Sequence, residues 1–175
     1  MLRGASGDML PIMKRAAFVI RPGNDADWPA LGQAVADLQD FERDIVGYPL
    51  RPGREIGHDY TADLRERLAV DHGVFLVPEA NGKIVGVLAG YVHEAGDRLV
   101  DAAFDRSAYI SDLFVHDGWR RKGVGSALVR AFEQIMRANG LQYVSVCVKS
   151  RNTVAHDAYR AYGFENYETI LTKRL

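Results

Sequence analysis

The sequence predicts an α/β or α+β sandwich, with helices packed around a central sheet of mixed strand direction. Three observations lead there. Runs rich in β-branched and aromatic residues alternate with amphipathic stretches at helical spacing along the chain. No internal repeat and no linker-like stretch divides the sequence. Its 175 residues, 47% of them hydrophobic, suffice for one real core.

The elements follow in order. Residues 17–21 read as a first strand. Asn24 or Asp25 caps a helix that tolerates Pro29 in its first turn, with Trp28, Leu31, Val35, Leu38 and Phe41 as its apolar stripe. Tyr48-Pro49 and Arg51-Pro52-Gly53 break the pattern, and a second helix over 59–69 turns Leu64 and Leu68 inward. Residues 74–77 read as a short buried strand, Asn81-Gly82 as a hairpin turn, and 83–92 as the partner strand. The polar stretch 93–107 reads as a loop. A fourth strand over 109–116 leads to a helix on which Val124, Leu128, Ala131, Phe132 and Ile135 recur, stopped by Asn139-Gly140. A fifth strand is expected over 143–148, a helix over 152–162 ended by Gly163, and a last strand over 167–172. Residues 1–12 are expected to be a flexible tail, and 13–175 one domain.

The segment Arg120-Arg121-Lys122-Gly123-Val124-Gly125-Ser126 is the most informative. It is a basic, glycine-containing turn between a strand and a helix. Its glycines leave backbone N–H groups bare, and a helix N-terminus adds positive partial charge, which suits a phosphate or pyrophosphate. A tight packing turn is the other reading of Gly-x-Gly alone. The spelling is not a P-loop, and the third glycine of a dinucleotide fingerprint is missing. What stands is Arg-x-x-Gly-x-Gly after a strand.

The run from Leu113-Phe114-Val115 through Gly125 closely resembles the acetyl-CoA pyrophosphate loop of the GNAT N-acetyltransferase superfamily. Ile20-Arg21-Pro22-Gly23-Asn24-Asp25-Ala26-Asp27 looks like that family's first strand and helix cap. Asn152-x-x-Ala155-x-x-x-Tyr159 followed by Gly163-Phe164 is similar to its second motif, and Thr172-Lys173-Arg174-Leu175 is a familiar ending. The resemblance implies the GNAT fold, a mixed, mostly antiparallel sheet flanked by helices. It also implies transfer of an acetyl group from acetyl-CoA, as co-substrate, to an amine of a small molecule or protein, by direct attack in a ternary complex.

Bulk properties limit the rivals. A net charge of −1 supplies no basic field for nucleic acid, and no run is long or apolar enough to suggest a membrane partner. No metal-ligand spacing appears among the five histidines, so no metal is expected. The one cysteine, Cys147, alternates with valines and reads as a small buried side chain. A cytoplasmic location is the default, and a homodimer is left open. The rival from another class is a catalytically silent GNAT-fold module that binds or senses acyl-CoA.

The chemistry needs a group to take the amine's proton, since a free amine has a pKa near ~10, and a group to protonate the departing thiolate. By resemblance the backbone of Lys122, Gly123, Val124, Gly125 and Ser126 would hold the pyrophosphate, and Phe114 and Val115 would offer main-chain groups to the pantetheine arm. Arg120 and Arg121 either neutralise phosphate or pair at the surface. Tyr159 matches the family's thiolate-protonating tyrosine, although its helical face also reads as core, and Tyr162 beside it reads as packing. Asn152 is first an N-cap and by resemblance also a cofactor contact. Asp112, an acid inside an apolar strand, is the first candidate base, because burial raises a carboxyl pKa. Glu94 is the second, and ordered water is the third option. In 93–107, Glu94, Asp97, Asp101 and Asp105 outnumber Arg98 and Arg106, which reads either as an acidic rim for a cationic acceptor or as solvated loop charge.

Overall fold

A computed structural model describes residues 18–47 and 49–175. The first strand, β1 (Val19–Pro22), starts later than the sequence suggests, and Ala17, residues 1–12 and Tyr48 lie outside the described residues. Asn24 forms a capping box with Asp27 over a short 3-10 turn that leads into α1 (Trp28–Val46). The Asp27 carboxylate is buried and gripped by the Arg21 guanidinium at 2.6 and 3.0 Å. Arg21 also reaches Glu79 at 2.9 Å. The Arg21 hydrogen bond holds Asp27 below the usual carboxylate range, so this network pins the start of α1 to the sheet. Of the expected stripe, Leu31 and Val35 are buried, but Phe41 near the end of α1 is exposed.

Helix α2 (Gly53–Val70) begins six residues before the expected 59. Pro52 presets the backbone before it, and the Asp40 carboxylate on α1 accepts the Gly53 N–H at 2.7 Å. That cap comes from another helix, so no local pattern announces it. Strand β2 (Val74–Ala80) continues past the expected Val77, through Pro78, which sits opposite Ile20. The hairpin turn at Asn81-Gly82 is present. Its partner strand is split into β3 (Lys83–Ile84) and β4 (Gly86–Glu94), with Val85 donating to the Pro78 carbonyl at 2.9 Å.

The stretch 93–107 is not all loop. It holds the end of β4, the one-turn helix α3 (Ala102–Asp105) and the start of β5 (Arg106–Val115). After β5 come α4 (Val124–Ala138), β6 (Val144–Val146) and α5 (Thr153–Ala161). β6 is shorter than the expected 143–148, and Cys147, just past its end, is exposed rather than buried. Residues 167–172 form no strand among the described residues, and Ile170 and Leu171 stay exposed. Strand propensity without a cross-strand partner does not make a strand. Tyr167 instead rests on Phe104, ring centroids 4.7 Å apart.

The six-stranded sheet runs β1-β2-β4-β5-β6, with β3 paired to β2 to one side. All pairs are antiparallel except β5 with β6. One face packs on α4: Leu76, Leu88, Ala108 and Ile110 meet Val124, Leu128, Phe132 and Met136. The other packs on α1 and α2: Val77, Val87 and Ala89 meet Leu31, Val35 and Leu64. Each fully buried Val, Leu, Ile, Phe or Met among them contributes roughly 1.5–3 kcal/mol through loss of apolar surface to water. Among the described residues no helix is long and apolar enough to cross a membrane.

Candidate active site

The site grows from two irregularities in the sheet. The first is a β-bulge in β5. Ala89 on β4 pairs with Asp112, and Gly90 pairs with Ile110, so Ser111 has no partner of its own. Its hydroxyl donates to the Ala89 carbonyl at 3.1 Å. Ile110 faces the α4 core. Strict alternation would send Asp112 the same way, into an apolar layer. The extra residue reverses the parity, and Asp112 turns toward α1 and α2 with Phe114 following on the same side.

There the buried Asp112 carboxylate accepts a hydrogen bond from the Tyr60 hydroxyl of α2 at 2.8 Å. Burial pushes the Asp112 carboxyl above the usual carboxylate range, the Tyr60 hydrogen bond opposes that, and the charge of Glu42 adds to the rise. Tyr60 is raised well above the ordinary tyrosine range by burial and by the Asp112 charge. Tyr91 and Tyr109 line the same face, ring centroids 5.5 Å apart, and His93 follows 6.0 Å from Tyr109.

The second irregularity is the parting of β5 from β6. They pair only from Ala108 to Ile110 against Val144 to Val146. Past Ile110 no β6 residue pairs with β5, so the β5 backbone at Phe114 and Val115 lies beyond the last β6 partner. α5 follows the short β6 and brings Tyr159 within electrostatic reach of Asp112, Tyr109 and Glu42. Burial keeps the Tyr159 phenol above its ordinary range, so it holds its proton. Its ring meets Phe164 edge-on at 5.3 Å. Asn152 caps α5 by accepting the Ala155 N–H at 3.1 Å, and its amide reaches Glu42 at 3.4 Å.

The basic loop stands at the open end of the parted strands. Arg121 (φ 59°) and Gly123 (φ 82°) both take the left-handed conformation, and α4 starts directly after Gly123. The N–H groups of its first turn have no partner inside the helix. The Ser126 hydroxyl donates back to the Gly123 carbonyl at 3.1 Å. Arg120 folds away from the loop: its guanidinium donates to the Val115 carbonyl and to Asp117, both at 2.9 Å. Lys122 lies over the Trp119 ring. Arg121 is exposed.

The structure therefore brings together Asp112, Tyr159, Asn152, Phe114 and Val115, with the loop from Lys122 to Ser126 at one end. It leaves Glu94 out. Glu94 lies at the exposed end of β4, on the face of Val92 and opposite that of Asp112. The loop acids also hold the turns of their own loop. Asp105 accepts the N–H groups of Gly96 and Asp97, Asp97 accepts that of Leu99, and Asp101 accepts that of Ala103. Sequence reasoning missed Tyr60, Glu42, Tyr91, Tyr109 and His93. The tyrosines could have been found only by assuming that Asp112 needs a donor. Glu42 lies on α1, where its charge acts on Asp112.

Two cavities of about 510 and 470 Å³ touch Trp28, one reaching β2 and Ile135 of α4 and the other between α1 and α2, and neither is lined by these residues. Among the described residues no cluster could hold a metal ion.

The sequence model of the Acetyltransferase (GNAT) family matches residues 37–164. An acetyltransferase of Yersinia pestis (strain Pestoides F) is 33% identical over 142 residues, which cover 78% of this chain and 89% of that one. Among solved structures, a transcriptional regulator from Bacillus halodurans C-125 aligns with a TM-score of 0.68 at 18% identity, over 91% of this chain and 100% of that one. AAC(6')-Iy, solved with a bisubstrate analogue built on CoA, aligns with a TM-score of 0.67 at 20% identity, over 91% and 98%.

Proposed function

This chain belongs to the GNAT acetyltransferase family, and from that premise we propose that it moves an acetyl group from acetyl-CoA to the amine of a small molecule or an exposed protein amine, by direct attack in a ternary complex. One observation carries the reading: the parting of β5 from β6 sets Asp112 and Tyr159 beside a strand edge that leads to the bare N-terminus of α4.

The residues fit the co-substrate. The left-handed Gly123 has no atom within 4 Å of the place a side chain would take, so the loop is open beside the start of α4. Those groups and the helix dipole would hold the pyrophosphate. The Val115 carbonyl already accepts from Arg120, so the remaining backbone groups of Phe114 and Val115 would hold the pantetheine arm. The acetyl thioester supplies an activated carbonyl.

The incoming amine meets a face that holds Asp112 and Glu42, two acids that favour a cationic acceptor. Asp112 takes the ammonium proton, and the raised pKa makes it a better base than an ordinary carboxylate. The nitrogen then forms its bond to the acetyl carbon. As the C–S bond breaks, Tyr159 gives its proton to the sulfur. Once bonded to the acetyl carbon the nitrogen is positively charged and gives up its second proton, which through water restores Tyr159. The proton held by Asp112 returns to solvent, and the products are an amide and a free thiol.

Two experiments follow. Gly123→Val puts a β-branched residue at a positive φ, so the loop must rearrange. Titration calorimetry should show acetyl-CoA affinity down about tenfold or more, with the circular dichroism of the fold kept. Unchanged affinity would remove the pyrophosphate from this loop. In Tyr60→Phe, Asp112 loses the hydrogen bond that opposes its burial, and its pKa rises further. The base works only when deprotonated, so the acid limb of kcat/KM should move to higher pH. An unmoved limb would mean that Asp112 is not the group that titrates.

A further inference from the structure

The hydroxyl of Tyr162 stands where the strand edge meets the phosphate-binding turn. A Cβ built on Gly125 would lie 2.5 Å from the Tyr162 hydroxyl oxygen and 3.8 Å from Cγ2 of Val115. Gly125 belongs to the first turn of α4, and Val115 ends β5. The oxygen thus lies over that first turn, on the side of the pantetheine edge.

The ring is held in place. Tyr162 ends α5, its N–H bonded to the Ala158 and Tyr159 carbonyls, and Phe164 N–H closes back on the Tyr159 carbonyl at 3.0 Å. Its ring meets Tyr159 edge-on, centroids 6.1 Å apart, and packs against the α4 core. A ring needed only for packing would not require a hydroxyl there. Nor would it require a glycine opposite: any side chain at position 125 collides with that oxygen. What acts on the hydroxyl is partial burial, together with the positive charge of Arg130 on α4. No hydrogen bond to another protein group contributes among the described residues.

We infer that Tyr162 is a further ligand-binding residue, whose hydroxyl donates to a phosphate oxygen of acetyl-CoA at the junction of the pyrophosphate with the pantetheine arm. This rests on the placement of the pyrophosphate at α4 proposed above. Gly125 then has a second purpose besides exposing its amide: it leaves room for the phenol. Tyr162 and the α4 amides clamp the anion from two elements, so that α5 carries a phosphate contact at its C-terminal end and the proton donor Tyr159 one turn earlier.

The test uses two ligands, acetyl-CoA and acetylpantetheine, which carries the thioester arm without the diphosphate. Tyr162→Phe removes the hydroxyl and keeps the ring. Calorimetry should show acetyl-CoA bound about tenfold more weakly, as expected for loss of a hydrogen bond to a charged group, with acetylpantetheine unaffected. Gly125→Ala, which pushes the phenol aside, should weaken acetyl-CoA similarly. Adding Tyr162→Phe to it should cost nothing further, because the contact is already gone. Unchanged acetyl-CoA affinity in Tyr162→Phe, or equal weakening of both ligands, overturns the inference. The underlying placement fails separately: wild-type protein would then bind acetylpantetheine as tightly as acetyl-CoA, and Gly123→Val would be silent.

Discussion

Asp112→Asn should lower kcat by about 10²- to 10⁴-fold, the range of a lost general base. The amide keeps an acceptor for the Tyr60 hydroxyl and the same volume, so the bulge and the core beneath it should survive. Acetyl-CoA binding, set at the far end of the groove, should not change. The pH profile separates this from a merely structural loss. Asp112 titrates above the ordinary carboxylate range because it is buried, and the working form is the carboxylate. Wild-type activity should therefore fall as pH drops through that raised value, and the Asn variant should lose this limb along with the rate. A variant that keeps the wild-type kcat, with the chemical step shown to limit turnover, returns Asp112 to a structural role and leaves ordered water as the base.

Tyr159→Phe should lower kcat on the order of 10²-fold, at the low end for a lost proton donor. The ring contacts with Tyr162 and Phe164 persist in the variant. Loss should therefore appear in kcat and equally in kcat/KM, as for an interaction made only in the transition state. The sign of the pH effect is opposite to that of Asp112. Burial raises the Tyr159 pKa, so the acid form persists as pH rises past the ordinary tyrosine range. Acceptors with the same nucleophilicity should show no alkaline fall from this group below that range. Single-turnover measurement of thiol release checks it, and a wild-type rate in the Phe variant makes Tyr159 a core aromatic.

The alternation of strand and helix, the phosphate-type turn and the asparagine–tyrosine helix were all legible in the sequence. Each is local, because the residues that make the pattern are those that form the element. The bulge was not legible. Ser111 and Asp112 fit a regular strand as spelled, and only pairing with Ala89 and Gly90 reveals the extra residue. The direction in which Asp112 points was therefore unknowable from periodicity, and so was its partner Tyr60, fifty-two residues away. The same applies to the start of α2, capped by Asp40 from α1. The acids of 93–107 have a second role that stayed hidden for a related reason. Charge counting cannot see that Asp97, Asp101 and Asp105 accept backbone N–H groups in turns. The strand pattern at 167–172 shows the converse, since a suitable spelling pairs with no strand among the described residues.

Thiol release from acetyl-CoA by the purified chain, measured across a panel of primary amines with the acetylated products counted by mass spectrometry, addresses the central claim most directly. The account predicts release that depends on the amine, equals the amide formed one for one, and falls in Asp112→Asn and Tyr159→Phe. Tight binding of acetyl-CoA with no release above hydrolysis for any amine would contradict it, and would make the chain a silent acyl-CoA binder on the same fold.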